Sequence, residues 1–435
     1  MAQNSYRVVI TAQSPLSFSQ RKPGGIFQES LTYVPGSTLR GATADTLLNG
    51  AMQDHLSHLK FQPDCDFCQC FLGQQAAVFT NAYPVGPKST AETPFVLPAT
   101  AVSCKHQQGF SQADGHGVFD TLIDRLCWET LEPTGLLYGP DCPHCHERVE
   151  SYSTVFTRDQ AGRYQRQEVS QRLLTRVAIN RRRAVAEEGL LYSPWVIEEV
   201  TRDEQSDSET DFTPTTFVGA LYGAEQAVAS AVESLTTVGG GSSRGLNHVQ
   251  IKVVPITVED YQAVKQRVAH FNRLIDTVWP LYQALGGQDK PKAGHYFTLD
   301  LQAQTILKTP YGEPTMVVDE AILEQATGGQ LKSADINLVR SYTSYGYVTG
   351  WNSAWKLPKQ AEVCAQTGSV FLFQAPNGLN DEQLKALAAL QQRGIGLRTG
   401  EGFGQVRICD EFHLVRRDGQ DPDLTNTLTS GLAPR

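Results

Sequence analysis

The pattern of apolar and polar positions divides the chain into strand-like and helix-like segments. Tyr6–Thr11 is a short run rich in β-branched residues and predicts a buried strand. Pro35-Gly36-Ser37 predicts a turn, and Thr38–Leu59 carries apolar residues at roughly helical spacing, with Ser37 as a plausible N-cap. A strand, a loop and then a helix are the expected start of a βαββαβ unit of the ferredoxin-like type.

The same periodicities predict two such units along the chain. In the first, the remaining strands are Val177–Ile179, Phe217–Leu221 and His248–Thr257, and the second helix is Ala224–Val238. The long amphipathic helix Val258–Leu285 connects the halves. In the second, the strands are Tyr296–Leu307, Asn337–Gly350, Ser369–Gln374 and Gln405–Glu411, and the last helix is Asn380–Arg393. We therefore predict an α+β protein with an N-terminal domain at 1–257, containing an insertion at 61–150, and a C-terminal domain at 258–435.

A glycine-rich loop occurs twice, each time between a predicted helix and a predicted strand. The first copy is Gly239–Gly245 and the second is Gly394–Gly404, and each contains one arginine. Glycine adopts positive φ readily and has no side chain to obstruct a ligand. The repeat predicts two related domains whose loops allow a ligand close to the backbone. The alternative is that the glycines only form tight turns.

Composition and charge narrow the class of protein. The 435 residues include no apolar stretch near the roughly 20 residues that span a bilayer, and the N-terminus lacks a signal peptide, so we expect a cytoplasmic protein without a membrane partner. The formal net charge of −9 argues against a protein that coats nucleic acid non-specifically. Eight arginines and two acids nevertheless lie between Phe156 and Arg183, which fits a defined nucleic-acid groove as well as a solvated surface.

The cysteines indicate a metal site. Nine are present, and four form the Cys-x-x-Cys pairs Cys65/Cys68 and Cys142/Cys145. In a reducing compartment such pairs favour metal over disulfides, and two pairs are the usual parts of a tetrahedral zinc site. We predict one structural Zn²⁺ held by these four sulfurs, with unpaired reduced cysteines as the alternative. Other groups that could take part are Cys70, Cys104, His106, His144 and His146.

Several segments resemble one known family. Tyr33–Gly41, with the sequence YVPGSTLRG, resembles the N-terminal signature of the CRISPR-associated RAMP superfamily. Both glycine loops resemble the glycine-rich loop of these proteins, and Thr175–Arg181 with Glu188–Tyr192 resembles a further stretch of them. The segment Gly394–Val406 and the Cys-x-x-Cys insertion are most similar to the large RAMP subunit of type III-D effector complexes, the "Csx-ten" type, which is thought to play the Cas-five role.

The resemblance implies two ferredoxin-like domains of the RRM type and a subunit that holds the 5′ end of the CRISPR RNA. It implies as partners the polymerase-like large subunit, the backbone RAMP subunits and, indirectly, the target RNA. Loop amides and guanidinium groups suit phosphates, and aromatic rings suit unstacked bases. The candidate RNA-binding residues are Arg40, Lys88, Lys105, Arg176, Arg181, Arg182, Arg183, Gly240, Gly241, Arg244, Gly396, Arg398, Gly402 and Phe403.

The side chains that could act in catalysis are not at the positions that RNA-cleaving members of this family use. RAMP subunits that cut RNA in the effector backbone carry an aspartate before the Pro-Gly-Ser motif, whereas the first aspartate here is Asp45, after it. RAMP endonucleases that mature CRISPR RNA use a histidine near the first helix, and His55 and His58 lie at the far end of the predicted helix. We therefore expect RNA binding without catalysis. The alternatives are a RAMP ribonuclease and a protein scaffold built on the zinc insertion.

Overall fold

The computed structural model describes residues 4–20, 29–58, 60–73, 76–86, 89–111, 115–129, 138–159, 161–180, 182–202, 212–284, 295–352 and 357–417. The strands are β1 Asn4–Ala12, β2 Ser19–Gln20, β3 Glu29–Ser30, β4 Val78–Phe79, β5 Tyr83–Val85, β6 Phe95–Val96, β7 Ala101–Cys104, β8 Val118–Asp120, β9 Val149–Ser151, β10 Val155–Arg158, β11 Tyr164–Gln167, β12 Gln171–Leu173, β13 Arg176–Asn180, β14 Val185–Tyr192, β15 Trp195–Ile197, β16 Val200–Arg202, β17 Phe212–Pro214, β18 Thr216–Ala224, β19 Val249–Pro255, β20 Tyr296–Leu301, β21 Leu307–Lys308, β22 Pro314–Thr315, β23 Asn337–Tyr342, β24 Tyr345–Asn352, β25 Leu357–Ala365, β26 Val370–Gln374 and β27 Val406–Ile408. The helices are α1 Gly36–Leu48, α2 Asp66–Phe71, α3 Leu122–Trp128, α4 Gln226–Glu233, α5 Tyr261–Ala284, α6 Glu320–Ala326 and α7 Asp381–Arg393.

The first half is built on an antiparallel sheet in the order β19-β1-β18-β4, with β5 also paired to β18. In β1 the side chains of Tyr6, Val8 and Ile10 are buried and those between them are less so, which is the alternation of a strand covered on one face. The helices α1 and α4 contact each other and share a core with this face of the sheet. We call this sheet and its two helices the first unit.

The second half repeats the arrangement. Its sheet has the order β23-β26-β20-β27, again antiparallel, with α6 between its first and second strands and α7 between its third and fourth. Taking β4 and β5 together as one interrupted strand, both sheets place their four strands in the spatial order fourth, first, third, second. We call this sheet with α6 and α7 the second unit, and α5 packs on it through Phe271, Ile275 and Val278.

The segment between α1 and β10 packs partly on the first half of the chain and partly on the second. Strands β7, β8 and β9 form a small sheet, and the aromatic core beside it takes in Phe412 and Val415 from the end of the second unit. Helix α3 packs on α5. The His413 ring is fully buried, with Nδ1 3.2 Å from Asp120 Oδ2 and Nε2 2.9 Å from Asp300 Oδ1. Apolar contacts and the buried contact of His413 with Asp120 therefore attach this segment to the second unit.

Several boundaries differ from the sequence predictions, although the α+β class is confirmed. Helix α1 ends at Leu48, before Asn49 and Gly50, and a 3₁₀ turn at Gln53–Ser57 follows. The N-cap of α1 is Pro35, so Ser37 lies inside the helix. The other differences are a shorter α4, a first strand of the second half that ends at Leu301, and two strands where Asn337–Gly350 was expected to be one. Within the described part of the chain, no helix has the length and apolarity to cross a bilayer.

Candidate nucleic-acid interface and metal centres

The two glycine loops are copies of one backbone motif, and each lies between the last helix and the last strand of its unit. In the first loop the Val238 N–H donates to the Asn247 carbonyl at 3.0 Å, and in the second the Ile395 N–H donates to the Gly404 carbonyl at 2.8 Å. Between these residues each loop makes one 3₁₀ turn flanked by left-handed residues, at Ser242–Arg244 and Thr399–Glu401. The loops therefore present equivalent backbones in different surroundings.

The second glycine loop packs against the first unit. Gly402 has a φ of 90°, and a Cβ there would lie 2.7 Å from Asn81 Oδ1 and 3.0 Å from the Phe79 carbonyl oxygen. Gly36, the first residue of α1, is confined by the same carbonyl, and a Cβ on it would lie 3.0 Å from Gly402 Cα. These distances exclude a side chain, so the loop and the helix meet through their backbones. Close packing between the two halves therefore accounts for the presence of glycine at both positions.

The first glycine loop is open on its outer side. A Cβ on Gly240 would meet no heavy atom within 4 Å, and Arg244 is exposed. Gly239 approaches α1 closely, since a Cβ there would lie 3.1 Å from Thr38 Cγ2. The Arg176 Nη1 group, from the β13–β14 hairpin, donates to the Arg244 carbonyl. The hairpin, the loop and the first turn of α1 are thereby held side by side.

Arg40 lies in the first turns of α1, where the sequence analysis placed a candidate phosphate ligand. Its Nη2 donates to the Phe71 carbonyl at 2.7 Å, and its guanidinium carbon lies 5.3 Å from the centre of the Phe71 ring. Its Nε is buried and has no hydrogen-bond partner among the described residues. Burial lowers the pKa of the Arg40 guanidinium, which remains a cation because arginine is protonated at any physiological pH. Arg40 therefore offers a charged donor at the wall of a cleft.

A cleft of about 1120 Å³ lies where these parts meet. Its walls are the first half of α1, the two glycine loops, strand β24 and the Arg176 end of the β13–β14 hairpin. Aromatic side chains at the cleft include Trp351, which is 60% exposed, and Phe403. The cationic lining residues are Arg40, Arg176, Arg244, Lys359 and Arg398, and the acidic ones are Asp45 and Glu401. The lining is thus net positive on a chain whose net charge is −9, which favours a polyanion in the cleft.

Arg398 is already paired inside the second loop. Its Nη2 lies 2.7 Å from Glu401 Oε2, its Nη1 lies 3.4 Å from Glu362 Oε2, and its guanidinium stacks 4.7 Å from the centre of the Phe403 ring. Burial acts to raise the pKa of the Glu401 carboxyl, but hydrogen bonds from Arg398 and Lys359 outweigh it and the pKa is lowered. The Arg398 charge is therefore largely neutralised by fixed carboxylates, and less of it remains for a ligand.

The cleft brings together six of the candidate RNA-binding residues and leaves others elsewhere. The six are Arg40, Arg176, Gly240, Arg244, Arg398 and Phe403. The remaining loop glycines are Gly241, Gly396 and Gly402, which are not among the described lining residues. Lys105 lies at the start of a loop after β7, 3.7 Å from Glu150, and the exposed Arg182 and Arg183 lie at the tip of the β13–β14 hairpin. Lys88 and Arg181 lie outside the described residues.

The four cysteines predicted to form one zinc site lie instead in two separate groups. Within the described residues, the first group is His55, His58, Cys65 and Cys68, and the second is Cys104, His116, Cys142 and Cys145. In each group the ligand atoms all lie within 4.8 Å of one another. The structure therefore does not bring the four predicted sulfurs together: each Cys-x-x-Cys pair is grouped with other residues near it in space, and either group could hold a metal ion. All nine cysteines are in described segments, and none is in a disulfide.

The separations within the groups fit a tetrahedral ion. Zn–S and Zn–N bonds of about 2.3 and 2.0 Å imply ligand separations of about 3.3–3.8 Å. The His55 Nδ1 atom lies 3.6 Å from both Cys65 Sγ and Cys68 Sγ. In the second group, Cys104 Sγ lies 3.5 Å from Cys145 Sγ and Cys142 Sγ lies 3.4 Å from His116 Nδ1. Two cysteines and two histidines, or three cysteines and one histidine, are usual donor sets for structural zinc.

The sequence analysis missed two kinds of site residue. His55 and His58 were weighed only as catalytic bases, although the spacing His-x₂-His-x₆-Cys-x₂-Cys was readable from the chain. Cys104 was named only among the groups that could take part, and His116 was not named; no local signal predicts that the fold brings them beside the second cysteine pair. Trp351 was also missed, although aromatic residues recur along β24.

The comparisons with known proteins give partial structural similarities. No protein-family model matches the chain, and no curated protein matches it. A chain in the cryo-EM structure of the Type III-B Cmr-beta bound to cognate target RNA and AMPPnP is 13% identical, with a TM-score of 0.39 over 84% of this chain and 86% of that one. A chain of the apo Type III-B Cmr-beta is 13% identical, with a TM-score of 0.26 over 58% of this chain and 98% of that one. Thermus thermophilus Cas6 is 12% identical, with a TM-score of 0.25 over 44% of this chain and 75% of that one.

Proposed function

We propose that this chain is an RNA-binding subunit of a type III CRISPR effector complex and that its central cleft holds the 5′ end of the CRISPR RNA. The observation that carries the proposal is the cleft itself. The YVPGSTLRG segment and both glycine loops, which are far apart in sequence and resemble RAMP motifs, meet there around a net positive lining. The partners we expect are the polymerase-like large subunit and the backbone RAMP subunits, as in type III-D complexes.

The strand orders support an assignment of two ferredoxin-like domains, 1–257 and 258–435. Both sheets follow a strand-helix-strand-strand-helix-strand path with the fourth and second strands at opposite edges. The predicted insertion 61–150 is not wholly an insertion, because β4 and β5 pair with β18 and complete the first sheet. The part of the segment that follows β5 packs on the second domain.

Within the cleft, each kind of contact suits one part of a single-stranded RNA. The open backbone at Gly240 lets a phosphate approach loop amides. Arg244 and Arg176 supply cations beside that backbone, and the unpartnered Nε of Arg40 supplies a buried donor. Trp351, exposed on β24, offers a ring on which a base can stack. The expected mode is recognition of phosphates with one or a few stacked bases.

We propose further that the chain binds RNA without cutting it. No histidine is among the described residues that line the cleft, and His55 and His58 lie together with two cysteines instead. The lining carboxylates are Asp45, which follows the Pro-Gly-Ser motif, and Glu401, which is paired. These positions favour binding over general acid–base catalysis.

Zinc is the metal we propose for both Cys/His groups, with a structural role. The ligand sets and separations fit tetrahedral Zn²⁺, and a site filled by four protein ligands has no open position for water. We expect two zinc ions per chain by elemental analysis of protein purified without chelator. One ion or none would contradict the assignment of two sites.

The binding proposal is tested by RNA titration with a matched pair of variants. Arg244 is exposed at the cleft, whereas Lys105 is an exposed cation outside the lining. Arg244→Ala should weaken binding of a labelled RNA carrying the CRISPR repeat-derived 5′ segment by roughly tenfold or more, and should reduce the slope of log affinity against log salt by about one. Lys105→Ala should change neither. Equal effects, or no effect of Arg244→Ala, would contradict a cleft-centred site.

A cleavage assay with the same purified chain tests the ribonuclease alternative. Incubation of the chain with labelled CRISPR RNA and a complementary target, with and without magnesium, should leave both RNAs intact. Site-specific cleavage with turnover that is lost on Asp45→Asn, or on a double alanine change at His55 and His58, would replace the binding role with a catalytic one.

A further inference from the structure

A stack of aromatic rings leads from the first Cys/His group to the wall of the cleft. The His55 ring lies 4.4 Å from the Phe67 ring, and the Phe67 ring lies 4.6 Å from the Phe71 ring, both in stacked geometry. Phe71 is the last residue of α2 and is the residue that holds Arg40 through its carbonyl and its ring. A metal ligand and a cleft cation are thus joined by two side chains.

Helix α2 depends on its surroundings for stability. It has six residues and no hydrogen bond from an N-cap side chain, and a helix of this length is unstable alone. Cys65 precedes it and Cys68 lies in its first turn, where the Gln62 N–H approaches Cys68 Sγ at 3.4 Å. An ion bound by both sulfurs closes the start of the helix and links it to the 3₁₀ turn that carries His55. Metal binding then determines whether the Phe71 carbonyl stays under Arg40.

We propose that the group His55, His58, Cys65 and Cys68 is a Zn²⁺ site that positions Arg40 for RNA. With the ion bound, α2 is fixed and Phe71 holds the guanidinium at the cleft wall, with Nε beside the second glycine loop, where a Cβ on Gly400 would lie 3.8 Å from it. Without the ion, α2 loosens and Arg40 loses both contacts. The inference rests on the proposed RNA-binding function.

The second Cys/His group provides an internal control. It lies on the β7–β9 sheet, and no lining residue of the cleft falls between Asn81 and Arg176 in the described chain. A metal there stabilises the inserted segment without contacting the elements that hold Arg40. Loss of the ion from the first group should therefore affect RNA binding, whereas loss of the ion from the second group should not.

The experiment compares Cys65→Ser with Cys145→Ser in the full chain. Each variant should lose one of two zinc ions. Cys65→Ser should weaken RNA binding by roughly tenfold, about the loss of one guanidinium–phosphate contact, and should add little in an Arg40→Ala background. Cys145→Ser should bind RNA as the unchanged chain does. Cys65→His, which replaces one zinc ligand by another, should restore both the ion and the affinity.

Hydrogen exchange separates a failure of this inference from a failure of the proposed function, because it needs no RNA. Removal of metal should speed exchange in residues 66–73 and at the Ala77 N–H, which donates to the Cys70 carbonyl. If Cys65→Ser does not fold, as judged by circular dichroism, His58→Asn replaces it. Loss of one ion with normal RNA affinity, or unchanged exchange at residues 66–73 and Ala77, would overturn the inference. Rapid exchange on metal removal with no RNA binding by any variant would refute the RNA-binding role alone.

Discussion

The contact between the two halves can be tested most directly by the substitution Gly402→Ala, which places a methyl group in it. The residue has a φ of 90°, which costs a residue with a Cβ about 1–3 kcal/mol. The new methyl would lie 2.7 Å from Asn81 Oδ1 and 3.0 Å from the Phe79 carbonyl oxygen, and overpacking of this kind costs about 1–3 kcal/mol. We expect Gly402→Ala to lower the free energy of unfolding by roughly 2–6 kcal/mol, the sum of the two costs.

A second effect adds to this loss. The Asn81 Oδ1 atom accepts the Gly36 N–H at 3.0 Å and so satisfies a free amide at the start of α1. Displacing Asn81 leaves that amide without its partner and moves the first turn of α1, which lines the cleft. Gly402→Ala should therefore weaken RNA binding indirectly, together with stability.

Gly240→Ala is the matched control. Gly240 is not among the residues with positive φ, and a Cβ on it would meet no heavy atom within 4 Å. Urea unfolding of the zinc-loaded chain should give a free energy within about 0.5 kcal/mol of the unchanged protein, while RNA affinity falls because the methyl stands where the phosphate approaches. Equal stability for Gly240→Ala and Gly402→Ala would refute the assignment of the two loops to different roles.

Two further predictions concern charged groups. Arg398→Ala should lower the free energy of unfolding by about 1–3 kcal/mol because Glu401 loses its closest cation, and should change RNA affinity little; a large affinity loss at unchanged stability would assign Arg398 to the ligand instead. The two carboxylates around His413 raise the pKa of its imidazole well above the usual value despite burial. Its contribution to stability is therefore full below about pH 6.5 and is lost as pH rises through the folded-state pKa. The difference in unfolding free energy between the unchanged chain and His413→Gln should shrink as pH rises, and a difference that grows with pH would contradict this.

Local patterns in the sequence predicted most of the elements near the cleft. The glycine loops, the helix Asn380–Arg393 and the first strand are all properties of short stretches, and the structure has them close to where the patterns placed them. Boundaries were less accurate where tertiary contacts decide them. The Gly36 amide is capped by Asn81, 45 residues further along, so the choice of Ser37 as the cap followed a rule that did not apply here.

The errors in the candidate site have one physical origin, which is packing between distant segments. The two loops have matching hydrogen bonds, and the sequence does not reveal that Gly240 faces the cleft whereas Gly402 is pressed against the first unit. Likewise Cys65 and Cys142 belong to identical motifs, and the fold shows that the first pair is completed by His55 and His58 and the second by Cys104 and His116. Spacing identifies the ligand types, but it does not decide which pairs share an ion.

The matching hydrogen bonds of the two loops have a consequence for how this chain can vary over time. A duplicated motif whose copies serve different ends is subject to different kinds of selection. Gly402, in the second copy, is retained for as long as the protein must fold, because a side chain there would meet Asn81 and Phe79 of the first unit. Gly240, in the first copy, has no such constraint and is retained only for as long as a ligand must be bound. We would expect a related protein that still assembles with its partners but no longer binds RNA to have lost the glycine at position 240. It would still have the glycine at position 402.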